Sequence, residues 1–228
     1  MQPTRHPSPN FGARRGGVCP SLIVLHYTAM SSTAAALARL CDPAFEVSSH
    51  YLISERGEVL ALVDEAMRAW HAGAGAWAGI TDVNSHSIGI ELANDGAQPF
   101  AHPQMCALEA LLAGLMTRWL IAPERVIGHS DMAPGRKFDP GPRFDWHRLA
   151  RAGLAVWPDH APVSGDDPAG FRDFAGALGY SLNVADAALL QAFRLRFRPW
   201  ATGPLDGGDM QRVQSLARFH VDLPRTSA

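Results

Sequence analysis

Short apolar runs that end on chemically active residues constrain this chain more than any other feature. SLIVLHYT (21–28) and RVIGHS (125–130) each run into a histidine, and SIGIELAND (87–95) ends among acids and amides. Apolar runs of about four to eight residues bounded by turn-formers read as buried strands. HYLISERGEVLALV (50–63) supplies two more, joined by a turn at Gly57. Helical patterns lie between them. TAAALARLC follows Ser31 and Ser32, either of which can cap it. PQMCALEALLAGLMTRWL (103–120) has Pro103 near its start, and DWHRLARAGL has Asp145 as its cap. Strands alternating with helices predict an α/β domain over residues 1–157. Residues 1–20 read as an irregular lead-in and the glycine-rich stretch 72–87 as a loop.

The pattern changes after residue 157. WPDHAPVSGDDP is a linker by composition, placed at 158–166, and only short helices follow. AGFRDFAGALGY, VADAALLQAFRLRFR and GGDMQRVQSLARFH, with a tight turn at TGPLD, predict a small three-helix domain over 167–228. A total of 228 residues accommodates both units. The net charge of −2, with arginines scattered among acids and aromatics, excludes the basic stripe of a nucleic-acid binder. No stretch reaches the ~20 apolar residues of a membrane span, and no apolar leader precedes Cys19. The expectation is a cytoplasmic monomer; a periplasmic enzyme would need a leader upstream. Three scattered cysteines, Cys19, Cys41 and Cys106, make no disulfide framework. Cys41 and Cys106 fall in apolar helical patterns, where a thiol is usually inert. HAGAGAWAG (71–79) lacks the spacing of a dinucleotide loop.

The strand ends hold the chemistry. His26 and His129 follow buried strands, and Asp139 lies ten residues beyond His129 on a loop long enough to fold back. Two imidazoles and a carboxylate suit zinc, with the fourth position left to a water whose pKa falls to about 7. Each histidine is equally readable as a packed or surface residue. Glu91 has two readings as well. It activates water, or it lies on the solvent face of its strand with Ile90 and Leu92 turned inward. Lys137 is the only lysine in the chain, which otherwise uses arginine for its surfaces. A compact ammonium suits an oxyanion where a forked guanidinium does not.

IVLHYTA (23–29), SSHYLISERGEVLALV (48–63), RAWHAG (68–73), HSIGIELAND (86–95) and GHSDMAPGRKFDPG (128–141) occur in an order that closely resembles a known family. It is the type 2 family of zinc-dependent N-acetylmuramoyl-L-alanine amidases, relatives of phage lysozyme-type amidases and peptidoglycan recognition proteins. The resemblance implies a central mixed β-sheet flanked by helices, with zinc in a surface groove. It implies that His26, His129 and Asp139 are the zinc ligands, that Glu91 activates the water and that Lys137 steadies the tetrahedral intermediate. The bond cleaved joins the lactyl group of N-acetylmuramic acid to L-alanine of the stem peptide. His50, Trp70, His71 and Asn94 are placed near the groove as substrate-positioning or shaping residues, with Trp70 alternatively a core aromatic and His71 alternatively a partner that orients a ligand. LLQAFRLRFRPWATGPLD (189–206) resembles the helical peptidoglycan-binding module of wall enzymes. Phe193, Phe197 and Trp200 there either contact glycan or build a small core that braces the amidase. The partners implied are muropeptides, in recycling or in intact wall. A protein that binds peptidoglycan without cleaving it is the alternative from another class.

Overall fold

The computed structural model describes residues 2–159 and 165–219. In chain order the strands are β1 (Thr4–Arg5), β2 (Phe11–Ala13), β3 (Leu22–Tyr27), β4 (Tyr51–Ile53), β5 (Val59–Ala61), β6 (Met67–Ala69), β7 (Ser87–Leu92) and β8 (Val126–Gly128). The helices are α1 (Thr33–Cys41), α2 (Val83–His86), α3 (His102–Trp119), α4 (His129–Met132), α5 (Trp146–Arg151), α6 (Pro168–Leu178), α7 (Asp186–Phe197) and α8 (Gly207–Leu216). Six strands form one mixed sheet in the order β1-β5-β4-β7-β3-β8, and β2 and β6 form a separate antiparallel ribbon. Within the large sheet only β4 and β5 pair antiparallel, across the expected turn at Gly57.

Strand β3 is apolar throughout because both of its faces are covered. Leu22 and Val24 enter one core with Ile127, Trp77, Phe171, Phe193, Phe197 and Val213. Ile23 and Leu25 enter the other with Ile88, Ile90, Leu92 and the α3 residues Leu108, Leu112 and Leu115. The first cluster joins the sheet to α6, α7 and α8, so the three C-terminal helices bury their apolar faces together with the sheet. A unit of that size has too little interior to bury them alone. Residues 160–164 of the expected linker and 220–228 of the expected helical unit lie outside the described residues.

Ser32 is the cap of α1, its hydroxyl accepting the Ala35 N–H, and Asp145 caps α5 through the Arg148 N–H. The lead-in 1–20 is not wholly irregular: it contains β1 and β2. Both are too short to show alternation, and they take their order from distant partners, β5 and β6. The loop expected at 72–87 encloses the one-turn helix α2, capped by Asp82. The strand read in RVIGHS stops at Gly128, and His129 opens α4. Strands β3 and β7 run parallel in a register that sets His26 beside Glu91.

Candidate active site

Three elements bring His26, His129 and Asp139 together. His26 ends the buried part of β3, His129 follows β8, and the loop after α4 returns Asp139 to the same point. The Ser130 N–H donates to the Asp139 carbonyl at 2.9 Å and pins that return. Nδ1 of His26 lies 2.9 Å from Nδ1 of His129 and 2.9 Å from Oδ2 of Asp139, and the third side of the triangle is 3.0 Å. All three residues are buried.

The surrounding hydrogen bonds decide which ring nitrogens carry protons. The Ser87 hydroxyl donates to the Val83 carbonyl at 2.6 Å, so its oxygen accepts from Nε2 of His71 at 3.1 Å. Nδ1 of His71 therefore accepts from Nε2 of His26 at 3.0 Å. On the other side, Nε2 of His129 donates to the Ala72 carbonyl at 2.8 Å. Both Nε2 positions are donors, and both Nδ1 lone pairs face the carboxylate. Burial, and the His129 imidazole alongside, push His26 down to about 4, so it is neutral near pH 7. For Asp139 burial alone acts upward, but the two imidazoles outweigh it and hold the carboxyl well below the usual range. Two imidazoles turn the same ring nitrogen toward one carboxylate, which is the donor set of a metal site. Histidine ligands are commonly oriented through their other ring nitrogen in this way.

Glu91 resolves both of its readings. Ile90 and Leu92 do face the core beneath α3, and Glu91 does point to the opposite face. That face is the groove wall beside His26. The residue is half-buried, yet its Oε2 is sealed from solvent with no hydrogen-bond partner among the described residues. Burial, and then the Asp139 charge, push its pKa up to about 8, with the Lys137 ammonium opposing. Lys137 also acts on His26, so its charge reaches both sides of the centre.

The groove encloses about 390 Å³ and is lined by His26, Glu91, His129, Lys137 and Asp139, with Trp70, Arg39 and Phe138 among the flanking residues. Trp70 is therefore a wall residue. His71 also lines the groove, but both ring nitrogens are engaged, by His26 and by Ser87, so it fixes the orientation of the His26 ring. His50 is a correction: it is fully buried and does not line the groove. Its Nδ1 accepts the Gly89 N–H at 2.9 Å and its Nε2 donates to the Met67 carbonyl at 3.1 Å, which ties β7 to β6. Asn94 is a second correction. Its side chain accepts from the Gly96 N–H and donates to the Gln98 carbonyl, shaping the turn after β7 rather than lining the groove. A larger cavity of about 810 Å³ lies among α6, α7 and the 199–205 turn, away from the histidines.

The buried His50 makes stability depend on pH. Burial, with the Arg14 guanidinium adding to it, drives its pKa down to about 3, while the unfolded chain titrates near the ordinary 6.5. The unfolded state binds the extra proton, so this stabilisation is whole above about pH 6.5 and is lost progressively toward pH 3. In metal-free protein, urea midpoints should fall across that window. His50→Asn, which retains an acceptor for Gly89, should flatten the slope by one proton; an unchanged slope would exclude His50 as a source.

Three supporting residues escaped the sequence reading. Ser87 and Gly89 share the Glu91 face of β7. A Cβ at Gly89 would sit 2.4 Å from the His71 ring, so the missing side chain makes room for it. A glycine inside a strand is the recognised signal of such close approach. Arg136 donates to the Ala72 and Ala74 carbonyls and holds the loop against His129.

Residues 16–142 match the family described as N-acetylmuramoyl-L-alanine amidase. The N-acetylmuramoyl-L-alanine amidase AmiD of Escherichia coli K12 is 37% identical over 209 residues, spanning 78% of this chain and 75% of that one. The 1,6-anhydro-N-acetylmuramyl-L-alanine amidase AmpD of Citrobacter freundii is 34% identical over 162 residues, 64% of this chain and 87% of its own. The solved E. coli AmiD, in complex with its substrate anhydro-N-acetylmuramic acid-L-Ala-D-γ-Glu-L-Lys, superposes with a TM-score of 0.81 at 32% identity. It covers 92% of this chain and 98% of that one.

Proposed function

The chain belongs to the N-acetylmuramoyl-L-alanine amidase family, and from that premise we propose that it hydrolyses the amide between the lactyl group of anhydro-N-acetylmuramic acid and L-alanine of the stem peptide. The observation that carries the reading is the convergence of two Nδ1 lone pairs and a carboxylate beside an unpartnered Glu91. His26, His129 and Asp139 hold zinc. The chemistry that zinc supplies when bound is Lewis acidity, which polarises a carbonyl and lowers the pKa of water. With its carboxyl ionised, as the charge of a bound cation would favour, Glu91 takes the proton from the water as the water oxygen bonds to the carbonyl carbon. It returns that proton to the alanine nitrogen as the C–N bond breaks, and the proton of the new carboxyl passes to the departing amine, leaving a lactyl carboxylate and an alanine ammonium. Lys137 offsets the negative charge that builds on the carbonyl oxygen. Trp70 and Phe138 flank the substrate, and the likeness to AmiD and AmpD supports soluble anhydro-muropeptides and their recycling.

Among the described residues no helix is long and apolar enough to cross a membrane. A cytoplasmic monomer belongs to the same reading. So does the division into an amidase unit at 1–157, a linker at 158–166 and a helical unit at 167–228, which the change of composition after residue 157 supports.

The test is cleavage of an anhydro-muramyl tripeptide and, separately, of intact sacculi, each with and without a chelator and read by mass spectrometry. Chelator-sensitive release of the tripeptide is expected. Sacculus cleavage as well would indicate a wall amidase, and cleavage of neither by zinc-loaded protein would refute the assignment. Lys137→Arg should lower kcat by about 10²–10³ with little change in KM, because the planar fork cannot occupy the place of a compact ammonium. Steady-state kinetics on the same tripeptide checks it, and a wild-type kcat would remove Lys137 from the mechanism.

A further inference from the structure

Asp131, two residues beyond His129, is completely buried. Its Oδ2 accepts the Gly128 N–H at 2.7 Å, closing a turn of backbone around His129. Two further partners among the described residues come from the C-terminal segment. The Tyr180 hydroxyl, just past α6, donates to Oδ1 at 2.5 Å, and the Arg196 guanidinium of α7 donates to Oδ2 at 3.0 Å. Arg196 is itself 2% exposed, also donates to the Val126 carbonyl of β8 at 3.0 Å, and lies over the Trp146 ring. The backbone on both sides of His129 is thus referenced to α7.

A second connection reaches the same ligand from its ring. The Ala72 carbonyl that accepts from Nε2 of His129 belongs to the glycine-rich loop. The Ala78 N–H of that loop donates to the Gly179 carbonyl at 2.7 Å, and its Trp77 ring packs edge-on against Tyr180 at 4.9 Å. A Cβ at Gly179 would lie 2.6 Å from that indole, so the two segments are in direct contact. The Ala76 N–H donates to the Met132 carbonyl and closes the circuit back to α4.

We infer that the C-terminal helices position the metal ligand His129, with Arg196 and Tyr180 acting through Asp131; this rests on the zinc reading above. Helix α4 is a single turn, too short to hold its own geometry. A buried ion pair is a poor source of net stability beside an apolar replacement, so its use here is better matched to fixing one arrangement. Neither Arg196 nor Tyr180 lines the groove, so neither touches substrate.

The experiment measures zinc affinity of the full chain by competition with a chromophoric chelator, at a temperature where every variant is folded. Arg196→Met should raise the zinc Kd by about 10–100-fold, the range over which outer partners of metal ligands act. Tyr180→Phe, which removes one hydroxyl and keeps the ring, should raise it by a smaller factor. Val213→Ala thins the same buried core without touching Asp131 and serves as the stability control. It should lower Tm and leave Kd unchanged. Wild-type Kd in both Arg196→Met and Tyr180→Phe would overturn the inference, as would an equal rise in Val213→Ala. If Arg196→Met does not fold, Tyr180→Phe against the control decides. A wild-type chain that takes up no zinc would instead strike the metal-site reading, and this inference with it.

Discussion

Glu91→Ala should slow hydrolysis by orders of magnitude while the metal and the fold remain. The carboxylate comes from β7 opposite His26, yet it belongs to neither the ligand triangle nor the hydrogen bonds behind it. A positioned general base contributes about 10²–10⁴-fold, and kcat on the anhydro-muramyl tripeptide should fall by that factor. The same variant should be no less stable than the parent at pH 8. The folded-state pKa of Glu91 is raised to about 8, so its contribution to stability is complete below the unfolded value near 4.5 and is lost as pH rises through 8. Removing the side chain removes that loss in the metal-free protein. Zinc content by mass spectrometry, urea midpoints at pH 5 and 8, and kcat together check the prediction. Turnover near the wild-type rate would eliminate Glu91 as the base.

Asp139→Ala empties the site. The two Nδ1 lone pairs, 2.9 Å apart, then face each other with no carboxylate between them and can share a single proton in place of a cation. Zinc affinity should fall by more than the 10–100-fold that outer partners command, because a ligand and its negative charge are both lost. The fold should persist, since the loop remains tied by the Ser130 N–H to the backbone carbonyl of residue 139. Competition titration against a chelator tests the affinity, and circular dichroism tests the fold. Undiminished zinc binding by a folded variant would mean that some other residue completes the site.

The strands and long helices were legible because each depends on a local period. The continuous apolar run of β3 announces burial on both faces, and the caps of α1 and α5 stand next to the segments they start. His26, His129 and Asp139 could be proposed from their positions at the ends of such segments, and the family motifs ordered them. What stayed hidden depends on pairing between distant segments. Whether Glu91 faced solvent or a reaction site turned on what covered that side of β7. His50 sat in a motif beside the groove residues, yet its ring faces Gly89 and Met67. The Asp131–Arg196 pair spans 65 positions, and no local pattern reports it.

The pairing of β3 with β7 has a consequence for how such a chain can change. A strand shifted by one residue presents every side chain to the opposite face. Glu91 would then turn toward α3, and Ile90 or Leu92 would enter the groove. Glu91 and His26, the proposed base and metal ligand, are therefore inherited as one reading frame. Point changes can adjust the wall at Trp70, Arg39 or Phe138 one at a time, but a single inserted or deleted codon within either strand would separate the two halves of the reaction. Variation in substrate choice has room in the loops around the groove, and the chemistry is locked to the length of two strands.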